Sequence, residues 1–215
     1  MQLSHVISDL FLTLSGVWVL YQCWKRHGYP LVFVWGLFFG AVCLAAFFGV
    51  LRFAAVHPSM ITISQSFQLI ASTFGSCGLV AGVCWLFKRY APLKLSLLTA
   101  LAGAASFLVG MLLEMPSYYS ILQMIAMIAV LGIALRYWFK PQRPEHRTIA
   151  QRLVLAIVLS ALATTSLQTV SKDLGIDVFH YLLGAGVLCF GWAARGHAST
   201  ESASKSVSHN PLATL

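Results

Sequence analysis

SKDLGIDVFHYLLGAGVLCFGWAARG, residues 171–196, decides the fold. Beyond Asp177 and His180 the run stays apolar as far as Arg195, which is about the length needed to cross the hydrocarbon core of a bilayer. The stretch therefore reads as a membrane helix. Asp177 and His180 stand three apart, so a helix puts them on one face at the mouth of that run. Ionisable groups at the lip of a membrane helix are expensive to desolvate, and by default they mark a functional site.

The rest of the chain has the same character. Hydrophobic residues make up 59% of the 215 and charged residues only 9%, against roughly 25% charged in a soluble domain. Lipid must be the solvent for most of such a surface. No Gly-rich phosphate loop is present, and with this composition that excludes a soluble cofactor enzyme. The net charge of +8 comes from short basic groups between apolar runs, with no basic stripe interleaved with aromatics, so nucleic acid is excluded as a partner. The five cysteines, Cys23, Cys43, Cys77, Cys84 and Cys189, lie in or beside apolar runs without a CxxC pair and read as small buried hydrophobes. The N-terminus lacks the basic region of a signal peptide, and Asp9 interrupts its apolar run, so the first segment reads as a retained helix.

Seven segments reach membrane-helix length: about 6–24, 30–51, 61–87, 93–113, 117–139, 149–170 and 178–194. The expected fold is all-α, a polytopic seven-helix bundle over residues 1–196, followed by a disordered cytoplasmic tail over 197–215. Of the 14 Lys and Arg residues, only Arg52 and Lys172 fall on one side of this topology. The positive-inside rule then places the N-terminus outside and the C-terminus in the cytoplasm of a cell inner membrane, and an odd helix count satisfies both ends. Gly36/Gly40, Gly78/Gly82 and Ser106/Gly110 are small-xxx-small pairs, which serve packing within the bundle or, alternatively, a homodimer.

With that topology, the polar residues gather at one depth. Asp9 and His5 lie at the outer end of helix 1, Arg52 at the end of helix 2, and Gln65 and Gln68 in the outer half of helix 3. Glu114 ends helix 4, Tyr118, Tyr119 and Gln123 open helix 5, Thr164, Thr165 and Gln168 close helix 6, and Asp177 and His180 open helix 7. Unsatisfied, each would cost several kcal/mol in hydrocarbon, so one wet pocket away from the cytoplasm is expected, with Asp9 and His180 nearest its floor. Each has a plainer reading. Arg52 and Glu114 can be interfacial, Asp177 can cap its helix, and His5 and His57 can be loop histidines.

Two carboxylates and an imidazole at one depth suit a catalytic zinc, which needs three protein ligands and an open position. Asp9, Asp177 and His180 are the expected ligands, with His5 or Glu114 in reserve. The same trio can instead bind a proton or cation. The Ser8–Asp9 pair early in helix 1 and the Asp-x-Phe-His of Asp177, Phe179 and His180 resemble the alkaline ceramidase-like (CREST) superfamily, in particular its small bacterial seven-helix members. The resemblance implies a membrane hydrolase of lipid amide or ester bonds, with zinc held by histidines and an aspartate near a serine. Ser8, Asp9 and His180 become the candidate catalytic residues. The chain departs from that pattern at Arg52, in GVLRF, and at Gly184, where the family carries histidines. A cation at position 52 favours an anion instead. The alternative is therefore a non-enzymatic binding, sensing or transport protein for a small anionic or lipid ligand, with Arg52, Glu114 and Gln68 as binding residues and membrane lipids as partners.

Overall fold

The computed structural model describes residues 3–27, 29–54, 56–88 and 91–208. Among these the chain is 92% helical and has no strand. Seven helices are long and apolar enough to cross a membrane, which makes this a multi-pass membrane protein. They are α1 (Leu3–His27), α2 (Tyr29–Phe53), α3 (Met60–Phe87), α4 (Pro92–Leu113), α5 (Pro116–Phe139), α6 (Pro144–Thr169) and α7 (Lys172–Ser208). The helices exceed the expected segments at their ends. Helix α1 begins at Leu3, so His5 is helical and not a loop residue. Helix α7 begins at Lys172, which puts Asp177 inside the helix and not at its cap. Helix α7 also runs through the stretch read as a tail as far as Ser208, while 209–215 lie outside the described residues.

Prolines set the start of three helices. Pro92, Pro116 and Pro144 each occupy the first turn, where the missing N–H costs nothing and the fixed φ is already helical. Helix α3 contains one irregularity, a π turn at Ala71–Gly75.

The bundle runs up and down, and its core is aromatic. Trp35, Phe38 and Phe39 of α2 meet Phe190 of α7 and Val19 of α1, all almost fully buried. A second knot joins α3, α5 and α6. Phe87 and Tyr137 stack 4.0 Å apart, and the buried His146 ring stands edge-on to both at 5.4 Å. The small-xxx-small pairs are used inside the chain. A β-carbon at Gly78 would stand 2.5 Å from the carbonyl oxygen of Val34, one at Gly82 would press on the Trp35 ring, and one at Gly110 would meet the Tyr119 ring. Gly36 and Gly40 face Leu20 of α1. Helix α1 packs between α2 and α7, so the first and seventh helices are neighbours. That adjacency builds the site.

Candidate functional site

His5, Ser8 and Asp9 lie within the first two turns of α1, and Asp177 and His180 within the first three of α7. The i, i+3 and i, i+4 spacings put each set on the face turned toward the other helix. There they form two histidine–aspartate contacts. His5 Nδ1 is 2.6 Å from Asp177 Oδ1, and His180 Nδ1 is 3.0 Å from Asp9 Oδ1. A carboxylate can only accept, so Nδ1 is the donor in the His5–Asp177 hydrogen bond.

Ser8 links the two pairs. Its hydroxyl donates to Asp177 Oδ1 at 2.9 Å or to the carbonyl of His5 at 3.1 Å, and its oxygen is 3.4 Å from His180 Nδ1. The group is enclosed: Ser8 is fully buried, His5 and Asp9 are 1% and 2% exposed, and the side chains of Asp177 and His180, at 12% and 16%, reach the edge. Helix α2 closes the third side. Asp9 lies against Gly49, and the Phe53 ring sits 4.8 Å from that of His5. The Arg52 guanidinium lies 5.0 Å over the Phe53 ring.

The structure thus gathers Ser8, Asp9, Asp177 and His180, the residues expected for chemistry, and adds His5. It does not converge Asp9, Asp177 and His180 on one point, because each carboxylate is already held by a different imidazole. Among the described residues no group of three His, Cys, Asp or Glu side chains is arranged to hold a metal ion. The expected three-ligand zinc set does not fit this geometry. Gly184 explains one departure from the resembled pattern. A β-carbon there would stand 2.6 Å from the Phe11 ring, so a histidine has no room.

Glu114 and Gln68 lie elsewhere. With Gln65, Ser72 and Tyr119 they line a separate cavity of about 580 Å³ between α3, α4 and α5, and none of the histidine–aspartate residues borders it. Glu114 closes α4 in the left-handed region, at φ 51°. The expected single pocket is two polar groups, with the Phe48–Phe67 stack joining α2 to α3 between their helices. His57, as the loop reading had it, is exposed and bonded to Ser59.

His5, expected as a reserve ligand or a loop histidine, is a full member of this group. Its signal was present: it stands four before Asp9 and three before Ser8, the same helical spacing that singled out Asp177 and His180.

A family model matches residues 4–199, from the site's first turn to beyond Arg195. The chain belongs to DUF6962, a family of unknown function. No curated protein matches the chain. The matched span of DUF6962 includes every member of the histidine–aspartate group and both halves of the second cavity.

Proposed function

We propose that this DUF6962 chain is a proton-responsive membrane protein that binds a small anionic or lipid ligand beside a buried acid–base site. We place it in the cell inner membrane with its N-terminus outside. The orientation rests on the basic residues, 12 of 14 of which fall on one side of a seven-helix topology. The single observation that carries the function is the hydrogen-bonded line His5–Asp177–Ser8–His180, with steps of 2.6 to 3.4 Å, and the His180–Asp9 contact of 3.0 Å that ends it. Buried carboxylates and imidazoles in series are the means by which membrane proteins hold and pass protons. Histidine is the side chain whose charge changes near neutral pH. Arg52, one ring away from His5, is the cation for an anionic ligand.

The test is thermal unfolding of the purified chain with decyl phosphate as probe. Stabilisation should survive a chelator, disappear in Arg52→Ala, and change between about pH 5 and pH 8 in the wild type but not in His180→Gln. A shift that is unchanged in Arg52→Ala, or no shift at all, overturns the reading.

One observation favours a second reading, metal-dependent hydrolysis of a lipid amide or ester. Both aspartates contact Nδ1, the side of an imidazole that a carboxylate holds when Nε2 binds a metal. In this reading His5 and His180 are the ligands, and Asp9 and Asp177 orient them. Zinc near one per chain, lost in His180→Ala, is the result that would displace the first reading.

A further inference from the structure

At the end of the bundle away from the histidine–aspartate group, α3, α4 and α5 part to form a crevice of about 730 Å³. Its walls are apolar, apart from Lys94 near the start of α4 and the hydroxyls of Ser76 and Thr99. Leu98 and Ile125 border it and are 65% and 54% exposed, so it opens sideways toward lipid.

The two polar ends differ in kind. Lys94 is exposed in the first turn of α4, and Lys88 directly follows α3 at the same end. Ser76 lies at the inner end and is 2% exposed, and its Oγ has no hydrogen-bond partner. That is exceptional along these helices. Ser72, Thr73 and Thr99 all donate to the carbonyl four residues back, at 2.8 to 2.9 Å. Ser76 follows the π turn Ala71–Gly75, where the carbonyls are paired one residue further on and the usual acceptor is out of register. A buried hydroxyl left unpaired is costly, and a ligand acceptor would recover that cost.

The spacing is defined. Ser76 to Cys84 along α3, and Lys94 to Ala102 along α4, are each eight residues, or about 12 Å at 1.5 Å per residue. An extended alkyl chain of 1.5 Å single bonds covers that in about ten bonds. We infer that this crevice binds a single-chain anionic amphiphile with its acid group on Lys94 and an oxygen acceptor, a hydroxyl or keto group about ten carbons along, at Ser76. The site is distinct from the proposed proton-responsive one and does not depend on it.

The test is a ligand–variant cycle on the full-length chain in detergent, using octadecanoate and 10-hydroxyoctadecanoate as probes. The hydroxylated chain should bind about five- to tenfold more tightly, the worth of one hydrogen bond. Ser76→Ala should abolish that preference and leave octadecanoate binding unchanged. Lys94→Gln should weaken both several-fold, and Ala126→Trp, which fills the crevice, should abolish both. Lys94 is exposed, so Lys94→Gln keeps the test valid if Ala126→Trp does not fold. Equal affinity of the wild type for the two probes, equal losses in Ser76→Ala, or no effect of Lys94→Gln would each overturn the assignment.

Discussion

The carboxylate of Asp9 rests directly on the backbone of Gly49. A β-carbon at position 49 would stand 3.0 Å from Asp9 Cγ and nearer still to Oδ2. Gly49 is therefore the gap in α2 that lets an acid of α1 turn away from lipid and reach His180.

Gly49→Ala should push Asp9 off His180 and destabilise the protein by about 1–3 kcal/mol, the usual cost of overpacking. Thermal unfolding measures the loss, and the ¹⁵N shifts of the His180 ring report the broken contact. Gly132→Ala is the control, since nothing lies within 4 Å of that position. If Gly49→Ala leaves the His180 signals in place, the contact does not depend on this gap.

The buried His5–Asp177 pair should be strongly coupled. Asp177→Asn alone should cost about 3–5 kcal/mol, because it leaves the other partner buried without its counter-group. In a double-mutant cycle with His5→Leu, the coupling should exceed 1 kcal/mol. The Arg143–Glu145 pair, 3.7 Å apart and with the Arg143 side chain 57% exposed, should show about 0–0.5 kcal/mol in the same experiment. Equal couplings in the two cycles would mean that burial adds nothing to the site pair.

Glu114→Gly should stabilise the chain by about 1 kcal/mol, because a non-glycine residue in the left-handed region costs about 1–2 kcal/mol. The reading is the denaturation midpoint. A loss of stability instead would show that the Glu114 side chain holds the cavity it shares with Gln68 and Tyr119.

Introducing a histidine at position 184 should fail by itself. Gly184→His should destabilise the chain and bind no zinc, because the Phe11 ring fills the space. Phe11→Ala with Gly184→His should fold better than the single variant. Stoichiometric zinc in that double variant, with none in the wild type, would show that the metal is excluded by shape. Zinc in the single variant would contradict the packing argument.

The helix count could be read from hydropathy, because each span needs its length of apolar residues whatever surrounds it. Asp9 and His180 also stood out, since a charge inside an apolar run needs a reason. The sharing of partners was harder to read. A one-dimensional sequence ranks polar groups by depth but says little of azimuth, so Glu114 and Gln68 read as neighbours of Arg52 and His180, whereas they line a separate cavity. His5 was misjudged for a different reason. The polar start of the chain looked like a loop, but α1 begins at Leu3, and the membrane-facing backbone stays helical to keep its own hydrogen bonds. The π turn gave no signal in composition, and Ser76 looked like any other helical serine.

His5 and Asp177 are 172 residues apart, and the contact between them joins the first helix to the seventh. As the ribosome feeds the chain into the bilayer, His5 and Asp9 enter with their partners not yet made. They must wait in lipid, or near an insertion factor, until six more spans have followed. The contact is thus a latch that closes only once the seventh of these spans is in place. A chain stalled before residue 177 exposes an unmatched acid to the quality-control proteases of its membrane.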